Sequence, residues 1–284
     1  MPPSVQTVDY LREFLKRRSA IIISSGKEYL VETRLLPIAK KDGFASIDEL
    51  VLAIRRNESS DLARRVIEAM TTNETSFFRD VHPWETLKTT VIPSIIKSRG
   101  PMHKLTIWCA AASTGQEPYT TAMVLREHFP ELASWSVHIV ATDINAAVLE
   151  RAREGVYRQA EVNRGLPAPM LIKYFDRRGT DWQVKAELRK MVTYQEQNLD
   201  SKWTLPRPID LVLMRNVLIY FETQTKREIL ARTREHMSHG GYLLLGGAET
   251  TINIDDQFVP VRTGNTIFYQ VKTTSERSAP HAAG

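Results

Sequence analysis

The sequence of 284 residues contains one cysteine, Cys109, which excludes an internal disulfide. Its seven histidines show neither the spacing of a zinc site nor that of a catalytic pair. No apolar run approaches the roughly 18 residues of a membrane span. The longest aliphatic run near the N-terminus, Ile21 to Ile23, is too short for a signal-peptide core. We therefore expect a soluble, cytoplasmic protein that holds no metal and inserts into no membrane.

Length and composition are those of an ordinary globular protein. Hydrophobic residues make up 42% of the chain and charged residues 25%, and a chain of this length accommodates one large domain and a small one. The formal net charge of +5 mildly favours an acidic partner. A nucleic acid, an anionic membrane and a glutamate-rich protein surface all satisfy that condition, so charge alone does not choose among them.

Residues 1–70 are predicted to form a small all-α domain. Their apolar residues recur at helical spacing in four stripes, which include Tyr10, Tyr29, Leu50 and Leu62. Residues 71–100 follow as a polar connector, T-T-N-E-T-S-F-F-R-D, and a linking helix from His82 to Lys97. The small, polar residues 275–284 are predicted to be a disordered tail.

Residues 101–274 alternate β-type and helical patterns, which is typical of an α/β domain with a mostly parallel sheet. Two closing strands joined by a short turn predict a terminal antiparallel hairpin. A small β-subdomain is predicted at about 176–195. The strands are placed at Val137–Ala141, Trp182–Leu188, Met191–Tyr194, Ile209–Met214, Gly241–Leu245, Phe258–Val261 and Thr266–Val271, and the helices at Asn145–Glu154, Pro169–Phe175 and Thr223–His239.

The most informative stretch runs from Ile107 to Pro118, I-W-C-A-A-A-S-T-G-Q-E-P. An apolar strand pattern leads into six small residues ending at Gly115, and a helical pattern follows, as in the first unit of a nucleotide-binding domain. The loop has one glycine rather than three, and Glu117 stands where a pyrophosphate would meet the helix N-terminus. A carboxylate there repels phosphate and attracts a cation. We infer a positively charged nucleoside ligand, S-adenosylmethionine. The repeated βα units and the closing hairpin match a class I methyltransferase sheet better than that of a dehydrogenase.

Polar residues that follow the predicted strands are candidate ligands, because open α/β sheets bind ligands at the carboxyl ends of their strands. Asp143 can accept hydrogen bonds from both ribose hydroxyls, or it can cap the next helix. Asn198 can pair with an adenine edge, or it can be a turn residue. Arg215 and Asn216 are placed on the rim of the same cleft, in either a binding or a structural role.

The chain resembles the CheR-type chemotaxis receptor methyltransferases over roughly residues 8–271. The resemblance rests on four segments in the family's order: T-T-N-E-T-S-F-F-R at 71–79, A-A-A-S-T-G-Q-E-P-Y at 110–119, A-T-D-I at 141–144 and R-N-V-L-I-Y-F at 215–221. It implies transfer of a methyl group from S-adenosylmethionine to glutamate side chains of receptors, with S-adenosylhomocysteine as the product. It also implies an N-terminal helical domain paired with the catalytic domain.

The resemblance further implies how the cofactor is held. Its methionine end contacts the connector, its ammonium group lies near the first turn of a helix, and its ribose and adenine follow two strand ends. The implied cofactor-binding residues are Asn73, Thr75 and Arg79 (methionine end), Glu117 (ammonium), Asp143 (ribose), Asn198 and Leu199 (adenine), and Arg215 and Asn216 (cleft rim).

The chemistry of this reaction demands little of the protein. A glutamate side chain, with a pKa of about 4.3, is already ionised at pH 7, so its attack on a sulfonium needs no general base, metal or covalent intermediate. The enzyme must align the reacting groups and exclude water. Arg79 can steer the acceptor carboxylate and Tyr220 can orient it, which makes both predicted catalytic residues. Otherwise Arg79 is a surface arginine beside Asp80, and Tyr220 is a packing aromatic.

Two other functions share part of this pattern. One is a methyltransferase for RNA or a small molecule, and the other is a cofactor-binding signalling module without transfer activity. The sequence shows no aromatic and basic platform for RNA, and the presence of Arg79 and Tyr220 argues against loss of activity. We expect a monomer that binds the methylation helices of receptors and no nucleic acid. Some members of the resembled family bind a receptor C-terminal tether peptide through a β-subdomain with an extended glycine-containing loop. Residues 174–182 carry one glycine and no such loop, so we expect no high-affinity binding of a tether peptide. Strand addition to the edge of the subdomain stays open.

Overall fold

The computed structural model describes residues 2–23 and 26–272, so the tail predicted at 275–284 lies outside the described residues. The described N-terminal part is the expected all-α unit. Its helices are α1 (Val5–Ser19), α2 (Tyr29–Lys41), α3 (Ile47–Arg56) and α4 (Asp61–Met70). Three of them start after a serine, Ser4, Ser46 or Ser60, whose hydroxyl accepts a hydrogen bond from a first-turn N–H. Their apolar faces meet in a core of their own around Phe14 and Leu50.

A continuous helical segment links this unit to the rest of the protein. It consists of α5 (His82–Thr86), a π-helical turn (Leu87–Val91) and α6 (Ile92–Arg99). Pro83 lies in its first turn, where a backbone N–H would have no partner within the helix, so proline costs no hydrogen bond there. The buried side of the segment, which includes Trp84, packs into the core of the catalytic part. The segment lies where the sequence predicts a helix from His82 to Lys97, and it ends two residues later, at Arg99.

Strands and helices alternate through the catalytic part, as predicted. The strands are β1 (Lys104–Ala110), β2 (Ser136–Asp143), β3 (Val156–Arg158), β4 (Phe175–Arg178), β5 (Asp181–Val184), β6 (Val192–Glu196), β7 (Ile209–Met214), β8 (Met237–Leu245), β9 (Phe258–Thr263) and β10 (Thr266–Val271). The helices are α7 (Gln116–His128), α8 (Ala146–Glu154), α9 (Gln159–Val162), α10 (Ala168–Tyr174), α11 (Ala186–Arg189) and α12 (Thr223–His236).

The main sheet has the order β6-β2-β1-β7-β8-β10-β9. Its first five strands are parallel, and β10 is antiparallel to both β8 and β9. The chain moves outward from β1 through β2 to β6 and then returns to β7 on the other side of β1. The strand order therefore reverses between β1 and β7, and such a switch point opens a crevice outside the carboxyl ends of the strands. This is the class I methyltransferase sheet with its terminal antiparallel hairpin.

The small β-subdomain differs from its predicted extent of 176–195. It is a three-stranded sheet in the order β3-β5-β4, and the short strand β3 is absent from the sequence prediction. The strand predicted at Trp182–Leu188 is wrong beyond Val184, because the good helix formers that follow make α11. The strand predicted at Met191–Tyr194 lies outside the subdomain. As β6 it pairs with β2 at one edge of the main sheet, since the chain returns there after α11.

Candidate active site

The carboxyl ends of β1, β2, β6 and β7 border one cleft of about 980 Å3, part of it open to solvent. The connector between α4 and α5 forms another wall. The structure brings together every residue of the predicted site on the lining of this cleft: Asn73, Thr75, Arg79, Glu117, Asp143, Asn198, Leu199, Arg215, Asn216 and Tyr220.

The loop between β1 and α7 has a backbone shape that restricts its residues. Ala111 and Ser113 adopt left-handed φ values of 53° and 51°, and Gly115 has a φ of 93°. A Cβ atom on Gly115 would lie 2.9 Å from that of Ala152, so the position requires glycine. The hydroxyl of Ser113 donates to the carbonyl oxygen of Asn73 at 2.8 Å, which ties this loop to the connector.

Asp143 is the last residue of β2 and is 6% exposed. Its carboxylate accepts hydrogen bonds from the N–H of Ser113 at 2.8 Å and from that of Asn145 at 3.0 Å. Burial raises the pKa of Asp143, and these hydrogen bonds oppose that shift. The N-cap of α8 is Asn145, whose side chain accepts from the N–H groups of Ala147 and Val148. Asp143 is therefore not the cap, and its remaining lone pairs are available to the cleft.

Arg215, directly after β7, joins two carboxylates at the cleft. Its Nη1 donates to Oε2 of Glu117 and its Nη2 to Oδ2 of Asp80, both at 2.8 Å. Burial raises the pKa of Glu117, although the positive charge of Arg215 opposes this. Glu117, in the first turn of α7, thus carries a carboxylate that is largely shielded from solvent, with 13% of its side chain exposed. Asp80 was not among the predicted site residues. In the sequence, only its position next to Arg79 indicates that it lies near the site.

Two polar atoms of residues lining the cleft are buried without a hydrogen-bond partner among the described residues. They are Nε of Arg215 and Oδ1 of Asn216. Buried polar atoms are nearly always paired, because an unpaired one costs free energy. A polar ligand in the cleft is a natural partner for such groups.

Arg79 and Tyr220 bring free polar groups to the cleft. Arg79 donates to the carbonyl oxygen of Glu74 at 3.1 Å and forms no ion pair within the described part of the chain. The positive charge of Arg79, like the larger effect of Arg215, opposes the rise in the pKa of Glu117 that burial causes. Tyr220 is half-buried, and its hydroxyl has no partner in residues 2–23 and 26–272. Both side chains are therefore available to an acceptor.

Asn198, in the turn after β6, uses its side chain for contacts within the protein. Its Nδ2 donates to the carbonyl oxygen of Arg18 at 3.0 Å, and its Oδ1 accepts from the N–H of Asp200 at 2.9 Å. The Asn198 side chain therefore acts as that of a turn residue, which is one of the two roles expected from the sequence. One N–H and one lone pair of the side chain remain for a ligand, and the neighbouring Leu199 is buried on the cleft wall.

The N-terminal unit completes the cleft. Next to Asp143, the side chain of Asn145 donates to the carbonyl oxygen of Glu68 at 3.2 Å, and the N–H of Ala146 donates to the Glu68 carboxylate at the same distance. Ser19 and Ile21 also line the cleft. These contributions were not predicted, because the apolar stripes of the helices do not reveal which residues contact the catalytic part.

Within the described ranges, no group of three or more His, Cys, Asp or Glu side chains is arranged to hold a metal ion. The same part of the chain contains no helix with the length and hydropathy to cross a membrane. Cys109 is buried in β1 and belongs to the core, as expected.

The sheet order, the cleft at its switch point and the acidic residues around that cleft define an S-adenosylmethionine-dependent methyltransferase. Comparison with known proteins gives the family. The model of the CheR methyltransferase SAM-binding domain matches residues 73–267, and the model of the CheR methyltransferase all-alpha domain matches residues 6–71. The chain belongs to the CheR methyltransferase family.

Relatives match across both parts of the chain. Chemotaxis protein methyltransferase 1 of Pseudomonas aeruginosa is 39% identical over 269 residues, which is 93% of this chain and 97% of that protein. Chemotaxis protein methyltransferase Cher2 of Pseudomonas putida is 37% identical with the same coverage. A chemotaxis protein methyltransferase of Vibrio parahaemolyticus is 36% identical over 91% of this chain and 94% of that protein. The similarity therefore includes the all-α unit as well as the catalytic part.

Proposed function

We propose that the protein transfers methyl groups from S-adenosylmethionine to side-chain carboxylates of glutamates on chemotaxis receptors, and that it acts as a cytoplasmic monomer on their methylation helices. The observation that carries the proposal is the meeting of Arg79, Tyr220, Glu117 and Asp143 in one cleft. The similarity to chemotaxis protein methyltransferases supports the same activity.

In this proposal the cofactor supplies an electrophilic methyl group on a positively charged sulfur. Asp143 accepts hydrogen bonds from the ribose hydroxyls, and Glu117 faces the ammonium group. Asn73 and Thr75 of the connector contact the methionine end, and the adenine lies against Leu199. Two acidic side chains with raised pKa values and the unpaired Oδ1 of Asn216 are the features that fit this cationic, polar ligand.

The protein's contribution to the transfer is alignment. Arg79 has no carboxylate partner of its own within the described residues, so its guanidinium can bind and orient the acceptor carboxylate. The free hydroxyl of Tyr220 donates a second hydrogen bond to it. No proton has to move, because the acceptor is ionised at pH 7. Holding the reactants in line and away from water provides the acceleration.

The test is incubation with radiolabelled S-adenosylmethionine and, in separate reactions, receptor-containing membranes or total RNA. We expect label on the receptors that is released as methanol by mild base, because carboxyl methyl esters hydrolyse under conditions that leave methylated bases and ribose intact. Base-stable label on RNA would replace the proposed acceptor, and cofactor binding without label on either would indicate a signalling module.

The β-subdomain is proposed to lack tight binding of a receptor C-terminal tether peptide. The segment 174–182, expected to pass directly from helix to strand, contains β4, and a two-residue turn, Gly179-Thr180, joins β4 to β5. Each strand has four residues, so the free edge of β4 offers few main-chain hydrogen bonds for strand addition.

Titration with C-terminal receptor peptides should therefore give no dissociation constant in the low micromolar range. Such a constant corresponds to a free energy of binding of roughly −8 kcal/mol. The same peptides with scrambled sequences serve as the control for nonspecific association. A sequence-dependent dissociation constant of a few micromolar would contradict the proposal and would assign a docking role to β4.

A further inference from the structure

We propose that Glu249 is a positioning residue for methyl transfer, because its carboxylate fixes the segment that carries Arg215, Asn216 and Tyr220. Glu249 lies in the loop after β8, and the segment it holds, residues 215–221, follows β7. No predicted site residue comes from the loop after β8. The inference rests on the proposed function, since the readout is the transfer reaction.

The geometry of the carboxylate carries the inference. Oε2 of Glu249 accepts hydrogen bonds from the N–H groups of Asn216 and Gly246, both at 2.7 Å, and Oε1 accepts from the N–H of Ile219 at 3.2 Å. One side chain thus binds the backbone of two loops. In the segment after β7, the carboxylate binds the N–H groups of Asn216 and Ile219. Ile219 directly precedes Tyr220.

The surroundings leave little freedom to this arrangement. Asn216 has a left-handed φ of 57°, a conformation that needs support from its neighbours. A Cβ atom on Gly246 would lie 2.7 Å from Nδ2 of Asn216 and 2.8 Å from Oε2 of Glu249, so glycine is required there. The N–H of Glu249 donates back to the carbonyl oxygen of Gly246 at 2.9 Å, which closes a tight turn. The two loops are therefore locked at one point.

The position of this lock connects it to the reaction. Asn216 and Tyr220 both line the cleft, and Oδ1 of Asn216 has no partner among the described residues. Nothing else in the described structure bonds to the N–H of Asn216 or of Ile219. We therefore expect loss of the carboxylate to let this segment, and with it the Tyr220 hydroxyl, shift, and a displacement of about 1 Å is enough to slow an aligned reaction by roughly 100-fold.

The first experiment compares Glu249→Gln with Asp256→Asn. The control removes the same charge from the same loop, at an exposed carboxylate that, among the residues the structure describes, accepts only from the side chain of Gln257. We expect faster amide hydrogen exchange in residues 215–221 of Glu249→Gln and unchanged exchange in the control. This measurement needs no acceptor, so it tests whether Glu249 holds residues 215–221 in place even if receptor methylation is not observed. Unchanged exchange in Glu249→Gln would overturn the inference.

The second experiment separates positioning from general stability. At saturating cofactor and receptor, we expect Glu249→Gln to lower kcat at least tenfold in the native chain, but less than threefold when Tyr220→Phe is already present. Such non-additivity is the signature of a residue that acts through another. Equal fold-losses in both backgrounds, or a fall in melting temperature without a change in kcat, would overturn the positioning role. If the native protein methylates no receptor, the proposed function fails. Affinity for S-adenosylhomocysteine then decides the role of Glu249: weaker binding in Glu249→Gln supports it, and unchanged binding overturns it.

Discussion

Replacement of Asp143 by alanine should weaken the binding of S-adenosylhomocysteine by about 10- to 150-fold. The carboxylate is buried at the end of β2, and its free lone pairs are proposed to bind the ribose hydroxyls. Hydrogen bonds to a charged group contribute roughly 1.5–3 kcal/mol, which converts to that range of dissociation constants. Isothermal titration calorimetry with the product measures the effect without the complication of turnover.

Two further variants make this measurement specific. Asp143→Asn keeps the shape and one acceptor oxygen, so it should lose less affinity than the alanine variant. Asp176→Ala removes an exposed carboxylate from β4, away from the cleft, and should bind normally. Asp143 also anchors the N–H groups of Ser113 and Asn145, so melting temperatures accompany the titrations. A destabilised Asp143→Ala protein with unchanged affinity would remove the ribose assignment.

Replacement of Arg79 by alanine should reduce the rate of methyl transfer, at saturating cofactor, by about 100-fold. The guanidinium is proposed to hold the acceptor carboxylate through charge-assisted hydrogen bonds, and the loss of such orientation has effects of this order. Arg79→Lys keeps the positive charge but lacks the planar pair of donors, so we expect an intermediate rate. Initial rates of receptor labelling, with the cofactor concentration set above the measured dissociation constant of each variant, provide the test.

The matched control is Arg126→Ala, which removes an exposed arginine from the last turn of α7 and should leave the rate unchanged. A normal rate in Arg79→Ala, together with weakened cofactor binding, would restrict Arg79 to the methionine end of the cofactor. In that case Tyr220 alone would remain as the predicted contact to the acceptor.

The parts of the site that follow from local sequence were predictable. Asp143 ends an apolar strand and Glu117 follows a small-residue turn, and the carboxyl ends of parallel strands meet at one edge of the sheet. The confirmed elements, such as the β9–β10 hairpin, also depend on residues close together in the chain.

The parts that escaped prediction depend on contacts between distant segments. Asp80 and Arg215 are 135 positions apart, and Asn198 and Arg18 are 180 apart. The placement of β6 in the main sheet rather than the subdomain depends on the path that the chain takes after α11. The strand β8 begins at Met237, before the predicted Gly241, because pairing with β7 overrides the low strand preference of the glycines.

Glu68 contacts α8, and Arg18 contacts Asn198. Through these contacts, both units of the protein contribute walls to the cleft. Movement of the helical unit therefore changes the space available to the cofactor. Linkage makes this dependence mutual: a partner that binds the N-terminal helices and alters their contact with the sheet changes cofactor affinity by the same factor by which the cofactor changes the affinity for that partner. If the proposed acceptor binds these helices, that contact would change how tightly the protein holds its methyl donor.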